Sequence, residues 1–361
     1  MIWIIRNNTI MNKVMLLFLW LINCMMMAQN TGMKFLFKNH KEGYNVYRIP
    51  TIIKTASGKL LVFCEGRNSL LDKGDIDIVM KTSADNGNTW SSLKIIWDIG
   101  KNTCGNPAPV YDIVTGKIIL TATLNNDKVY VLCSKDDGES WEPPMDMTSA
   151  VKPDNWKWYA SGPVHAVQLE QTSFKNRIVV PCNHTITGIN KHISHVIYSD
   201  DSGVTWKLGG SVPNEKTDEC VVAELANGGL LLNMRNSDRT LPNRKKSIST
   251  DGGITWSYAV FDSTLIEPIC QGSLLSYSSS PNILLFSNPL HKKKRKNLTL
   301  SISYDNGKTW AKQVNICHNK SAYSDMAVLK NGDVICLFET GNILPYGGIT
   351  TKIISGCIVK K

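Results

Sequence analysis

Short apolar runs separated by turn residues dominate this chain, and they recur at a regular interval. A polar or glycine residue followed by four or five mostly apolar positions appears six times: Lys59 before 60–63, Lys117 before 118–122, Arg177 before 178–181, Gly229 before 230–234, Asn282 before 283–286, and Asp333 before 334–338. The starts lie 58, 60, 52, 53 and 51 residues apart, room for four strands with their turns. Runs this short and this rich in Val, Ile and Leu read as buried strands, and no long stretch carries the 3.6-residue period of an amphipathic helix. Each of the first five runs is followed by an octapeptide, Ser-x-Asp-x-Gly-x-Thr-Trp, starting at Ser83, Ser134, Ser199, Ser249 and Ser303, with Ser140 replacing Thr in the second copy. Asp caps backbone amides, Gly accepts positive φ, and Ser or Thr closes the turn, so each copy predicts a tight hairpin whose Trp packs on its own sheet.

Six units of four strands predict an all-β fold, a six-bladed β-propeller of four-stranded antiparallel blades. The sixth unit lacks the octapeptide and leads into closing strands over 352–359. The segment Lys34-Phe35-Leu36-Phe37 is expected to add a strand to that last blade and cover its edge.

Composition changes this picture little: 42% hydrophobic and 19% charged residues supply a core and exclude a disordered chain. The first residues stand apart. Arg6 and Lys13 precede an apolar run over 14–22, followed by Asn23, Cys24, three methionines and Ala28. Residues 1–28 are therefore expected to be an export leader, with 29–361 forming the propeller. Acylation at Cys24 is an alternative that Asn23 disfavours, and initiation at Met11 is a further alternative. The run is too short to span a bilayer and no later one approaches 18 apolar residues, so no membrane span is expected. The expected location is the periplasm, cell surface or medium.

The formal charge of +10 favours an anionic partner. Nucleic acid is not that partner on this reading: the cations are scattered through strand-like segments, and an exported chain does not meet DNA. The exception, Lys292-Lys293-Lys294-Arg295-Lys296, reads mainly as a solvated loop. Beyond Cys24 there are nine cysteines, irregularly spaced and mostly within apolar runs. They suggest neither a disulfide framework nor a zinc site and are expected to be small buried hydrophobes.

Repeats announce architecture; chemistry must come from residues that do not repeat. Arg48 in Tyr47-Arg48-Ile49-Pro50, Arg67 and Asp72 after the first run, Glu219 before Cys220, Arg235 at the end of the fourth run, Arg295 after the fifth, Tyr323 in Tyr323-Ser324-Asp325, and Glu339 closing the sixth all sit near strand ends. In a propeller such ends converge on one mouth of the central channel. Asp75 and Asp77 compete with Asp72.

These motifs resemble the exo-α-sialidases over essentially the whole chain beyond the leader. The resemblance implies that Arg48, Arg235 and Arg295 clamp the substrate carboxylate, that Asp72, five residues after Arg67, is the acid/base, and that Tyr323 is the nucleophile. It implies further that Glu219 activates Tyr323 and Glu339 steadies Arg48. Arg67 and Asn106, in Asn106-Pro107-Ala108-Pro109, are expected beside the sugar. Trp156, Trp158 and Tyr159 are candidates for a pocket wall, with the core as their alternative place. Where the family has Gly-Pro-Gly-x-Gly, this chain has Gly162-Pro163-Val164-His165-Ala166, so one pocket wall is expected to differ.

The residue types suit the chemistry. Sialic acid carries a carboxylate on its anomeric carbon, and guanidinium groups bind a carboxylate bidentately without losing charge. That carboxylate would repel an Asp or Glu nucleophile, whereas a phenol arrives neutral; the tyrosine assignment itself comes from the resemblance. The implied reaction needs no metal or organic cofactor, acts on sialylated glycans and is expected of a monomer. Transfer to another sugar, release of an anhydro product, and glycan binding without catalysis are the competing readings; the presence of Tyr323, Glu219 and Asp72 argues against the last.

Overall fold

In the computed structural model, residues 34–171, 173–279 and 282–360 are described. The chain divides after Phe35, and the unit that begins at Leu36 holds all the repeat units. The expected leader, with Arg6, Lys13 and Cys24, lies outside the described residues. Among those residues no helix is long and apolar enough to cross a membrane.

The apolar runs become the second strand of each repeat unit. The first unit is β2 (Val46–Lys54), β3 (Leu60–Arg67), β4 (Ile76–Ser83) and β5 (Lys94–Trp97). The second is β6 (Cys104–Tyr111), β7 (Ile118–Leu124), β8 (Lys128–Ser134) and β9 (Met145–Asp146). The third is β10 (Trp156–Ser161), β12 (Ile178–Ile186), β13 (Ile189–Ser199) and β14 (Lys207–Ser211), with β11 (Val167–Gln168) also on β12. The fourth is β15 (Thr217–Glu224), β16 (Leu230–Asn236), β17 (Asn243–Ser249) and β18 (Val260–Ile266). All strand pairs in these sheets are antiparallel.

The expectation of six separate four-stranded blades needs correction. Four sheets follow separate four-stranded paths, and the last two repeat units are continuous in one seven-stranded sheet. It comprises β19 (Ser273–Ser279), β20 (Asn282–Pro289), β21 (Lys296–Ser303), β22 (Lys312–Val328), β23 (Val334–Gly341), β24 (Gly348–Ile354) and β1 (Phe37–Lys38). The join is β22, which has 17 residues and neither Gly nor Pro to interrupt it. Its first part pairs with β21 and its second part with β23.

The innermost strands β2, β6, β10 with β11, β15, β19 and the second part of β22 touch in succession around a ring, giving the propeller-like arrangement. β1 covers the last edge, pairing Phe37 with Ile349 and Lys38 with Gly348. The paired residues are thus shifted toward the C-terminal end of the expected Lys34–Phe37 segment. At the other terminus β24 ends at Ile354 and a single helical turn follows, in place of a strand to residue 359.

The octapeptide serines end β4, β8, β13, β17 and β21, and their aspartates cap the turn as expected: Asp251 accepts from Ser249 Oγ at 2.8 Å, Thr255 N at 2.9 Å and Thr255 Oγ1 at 2.6 Å. Their tryptophans do not pack on their own sheet alone. Trp141 joins a cluster holding Leu61 and Met80 of the first unit with Ile118 and Leu120 of the second. Trp310 lies among Val221 and Leu231 of the fourth unit and Leu274 and Leu284 of the fifth. A twisted sheet buries its faces only against its neighbours, so the core is a set of layers between units. The motif glycine serves the same contact: Gly307 has φ +73°, and a β-carbon there would stand 2.6 Å from Leu231 Cδ2.

Gly307→Ala is accordingly expected to destabilise the fold by about 1–3 kcal/mol, read from urea or thermal unfolding. Gly43→Ala, with φ +96° but no atom within 4 Å, should lose less; equal losses would show that backbone strain alone matters.

Candidate active site

Five of the inner strands break their register near the same end of the ring. The irregularities fall between Arg48 and Thr51 in β2, Gly105 and Ala108 in β6, Trp156 and Tyr159 in β10, Thr217 and Cys220 in β15, and Ser321 and Ser324 in β22. A bulge kinks its strand and re-aims the side chains within it. Those side chains here include Ile49, Asn106, Trp158, Asp218, Glu219 and Tyr323, and all six line one cavity of about 420 Å³. Arg67, Asp72, Arg235, Glu65 and His192 also line it.

Four of the five bulges free a backbone amide that a carboxylate then occupies; in the fifth, Trp158 N donates to Thr185 Oγ1 at 3.1 Å. Glu339 Oε1 accepts Ile49 N at 2.9 Å and Arg48 Nε at 2.6 Å, and its Oε2 accepts Tyr323 N at 3.2 Å. Glu65 Oε1 accepts Asn106 N at 2.8 Å while its Oε2 takes Arg67 Nε at 2.7 Å. Asp218 Oδ1 accepts Glu219 N at 2.9 Å, and its Oδ2 lies 3.4 Å from Arg235 Nε. Glu339 and Glu65 are buried, so the arginines they hold are fixed in direction as well as charged.

The arginines converge on one phenol. Arg235 Nη1 donates to Tyr323 Oη at 3.1 Å and to Glu219 Oε2 at 2.8 Å. Arg48 and Arg295 stand 5.2 and 5.4 Å from the centroid of the same ring. The phenol donates to Glu219 Oε1. Burial and the Glu219 charge push the Tyr323 phenol well above its usual range, with Arg235 and Arg295 opposing, so the hydroxyl is protonated at neutral pH.

Asp72 faces this group from the loop after β3. Its side chain is 83% exposed and accepts Arg67 Nη1 at 2.7 Å. Burial of part of the carboxyl raises its pKa, but the charge and hydrogen bond of Arg67, together with Arg48 and Arg295, outweigh this and hold it below the usual carboxylate range. The rival aspartates are elsewhere. Asp75 accepts Asn68 Nδ2 at 2.8 Å. Asp77 is buried under Tyr44, whose hydroxyl donates to it at 2.6 Å, and its carboxyl is pushed up to about 6.

Of the nine residues singled out in the sequence, Arg67, Asp72, Asn106, Glu219, Arg235 and Tyr323 line the cavity. Arg48 and Arg295 reach the Tyr323 ring, with Glu339 bound behind Arg48. Asn106 takes φ +56° and its side chain donates to Thr123 Oγ1 at 2.9 Å, so its place follows from backbone as much as side chain. The three aromatics divide: Trp158 lines the cavity, against His192 at 4.9 Å, whereas Trp156 and Tyr159 belong to the core. The departing Gly162–Ala166 segment does not line this cavity. It reaches the ring axis, where His165 Nδ1 lies 2.6 Å from Asp325 Oδ1.

Four residues escaped sequence reading. Tyr346 lies 4.2 Å beneath the Arg48 guanidinium and accepts Arg295 Nη1 at 2.9 Å. Glu65 had a signal, since it stands two residues before Arg67 and therefore on the same strand face. Asp218 adjoins Glu219 but points to Arg235, and His192 has no sequence signal at all. Among the described residues no group of three or more His, Cys, Asp or Glu is arranged to hold a metal ion. The nine described cysteines are free; six are buried, Cys133 and Cys317 are partly so and Cys357 is exposed.

Comparison with known proteins bears on this arrangement. Residues 58–336 match the family described as BNR repeat-like domain. A sialidase of Bacteroides fragilis is 28% identical over 81% of this chain and 60% of its own, and a sialidase of Micromonospora viridifaciens 27% identical over 88% and 53%. The chain thus spans little more than half the length of these two relatives. Among solved structures, Hadza microbial sialidase Hz136 superposes with a TM-score of 0.81 at 26% identity, covering 91% of this chain and 69% of that one.

The Asp72 environment can be measured directly. An NMR titration of its carboxyl is expected to give a midpoint below that of an ordinary aspartate. Arg67→Gln should move it upward, because the principal stabilising cation is gone. No movement would show that Arg67 does not set the Asp72 charge.

Proposed function

Because the chain belongs to the sialidase family with BNR repeats, we propose that it is an exo-α-sialidase that hydrolyses terminal α-ketosidically linked sialic acid from glycoproteins, glycolipids and oligosaccharides. One observation carries the reading: the Tyr323 phenol donates to Glu219 while Arg48, Arg235 and Arg295 surround it. No ordinary core needs three cations around a neutral phenol. A substrate carboxylate supplies what they lack. Arg48 uses only Nε on Glu339, and its two terminal nitrogens make no hydrogen bond among the described residues.

On this reading the carboxylate binds the three guanidinium groups and places the anomeric carbon over Tyr323 Oη. The phenol oxygen forms a bond to that carbon as its proton passes to Glu219, and the glycosidic C–O bond breaks as Asp72 protonates the leaving oxygen. Water then attacks the tyrosyl-sugar bond, giving its proton to Asp72, and Tyr323 recovers its proton from Glu219. Two displacements at one carbon retain its configuration. The low pKa of Asp72 in the free protein fits this cycle, because a bound carboxylate offsets the field of Arg48 and Arg295 and raises Asp72 toward protonation. The basic residues and apolar run before residue 23 support an exported location.

Release of fluorophore from an α-ketoside of N-acetylneuraminic acid tests the proposal. Glu219→Gln should lower kcat by about 10²–10⁴-fold, and Tyr323→Phe by at least as much; wild-type rates in a well-folded Tyr323→Phe variant would remove Tyr323 as nucleophile. A depressed Asp72 pKa means that the free enzyme loses the acid's proton early as pH rises. Thus kcat/KM should fall from acidic toward neutral pH, and Arg67→Gln should shift that descending limb upward whatever its effect on the maximum rate.

A further inference from the structure

The cationic run read from the sequence as a solvated loop has a second place in the structure. Lys292 and Lys293, with Arg239, line a separate groove of about 420 Å³ walled by Leu241 and Ile269. This groove adjoins the active site. Ile269 O accepts Arg295 Nη2 at 2.9 Å, and Asn236, also in its lining, directly follows Arg235. Of the three arginines expected to hold the substrate carboxylate, Arg295 is therefore bonded to its wall and Arg235 is the chain neighbour of a lining residue.

The groove is charged and unneutralised. Lys292, Lys293 and Arg239 are exposed and have no acidic partner among the described residues. Asp238, the acid next to Arg239, lies 3.6 Å from Lys216. The carboxylate in the lining, Glu267, is buried and engaged by Arg244 Nη1 at 2.7 Å and by the Cys270 amide at 3.4 Å. Nor is the lysine loop loosely attached. His291 Nδ1 accepts the amides of Lys293 and Lys294 at 3.0 and 2.9 Å, and Arg295 O accepts Ser321 N at 3.1 Å. Like charges are thus held together beside a site that already gathers three arginines, an arrangement that costs repulsion unless an anion enters.

We propose that this groove is a subsite for an anionic group on the part of the substrate that leaves. The group is a carboxylate, as on a second sialic acid, or a sulfate ester, and the apolar walls accept the C–H face of the sugar carrying it. The inference rests on the sialidase reading and narrows its substrate class to glycans with a second negative charge next to the one being removed. The bond broken is unchanged, so the groove acts through affinity and placement, and its residues are specificity determinants.

Initial rates of the first sialic acid released from sialyllactose, disialyllactose and a sulfated sialyllactose, at low and high ionic strength, test it. The wild-type enzyme is expected to favour at least one dianionic glycan by about fivefold in kcat/KM, the scale of one or two exposed ion pairs, mainly through KM. High salt should erase the preference. Lys292→Gln/Lys293→Gln and Arg239→Gln should erase it too while leaving sialyllactose turnover unchanged, and Lys292→Arg/Lys293→Arg should restore it. Preference for disialyllactose alone assigns the carboxylate, and for the sulfated glycan alone the sulfate. Equal rates on all three glycans, or a preference that survives in the glutamine variants, would overturn the subsite and leave the hydrolase reading standing. Failure of the wild-type enzyme to turn over sialyllactose would instead defeat the hydrolase reading.

Discussion

Buried carboxylates that accept a backbone amide and pair with an arginine hold this structure together at the end where the inner strands bulge. Bending an inner strand into a bulge leaves an amide unpaired, at a cost of about 1–3 kcal/mol if it stays so. Burying an arginine without a counter-ion costs more. Glu339, Glu65 and Asp218 answer both demands at once. Glu339 reaches from β23 to β2 in the next unit around the ring, and Glu65 from β3 to β6. The interactions that orient the cations therefore also join neighbouring units, and the site cannot be loosened without loosening the ring.

The axis carries a second such device. Asp325, fully buried, accepts Ile52 N at 3.0 Å, His165 N at 3.2 Å, Ser273 Oγ at 2.7 Å and Met326 N at 2.9 Å, besides its contact with His165 Nδ1. Burial alone would lower the His165 pKa, but Asp325 outweighs it and raises it. Four chain segments thus meet on one carboxylate. A second cavity of about 480 Å³ opens at the far ends of the inner strands, lined by Lys54, Tyr111, Glu224 and Tyr277 among others. It lacks the convergence of arginines found at the first. The strand direction accounts for the asymmetry: five of the bulges lie toward the N-terminal ends of inner strands, whereas at the far ends only β19 breaks register, between Ser276 and Ser278.

Electrostatics then distinguish an acid and a phenol by environment. Asp72 is exposed and held ionised by Arg67, whereas Tyr323 is buried against a carboxylate and holds its proton. Cations favour the anionic form of both: Arg67, Arg48 and Arg295 hold the Asp72 carboxylate, and Arg235 and Arg295 partly offset the penalty that burial and Glu219 impose on a Tyr323 phenolate. An entering anion changes both balances together, which couples binding to proton position.

Much of this was legible in the residues themselves. The spacing of apolar runs located the second strand of every unit, and the octapeptides located the third turn, because both depend on local periodicity and backbone preference. The residues gathered at the site were legible through family motifs. Three things were not. The fusion of the last two units depends on one uninterrupted 17-residue strand pairing on different sides along its length, and a strand's partners are not written in its own sequence. The tryptophans face neighbouring units because a sheet's burial partner is set by the ring. Tyr346, Asp218, His192 and the groove beside the lysine run owe their places to bulges and loop anchors, which depend on contacts between distant segments. Sequence alone determined which strands form and which side chains carry charge, since those follow from neighbours along the chain; only the tertiary structure decided which charges meet, since a carboxylate finds its amide and its arginine across the ring.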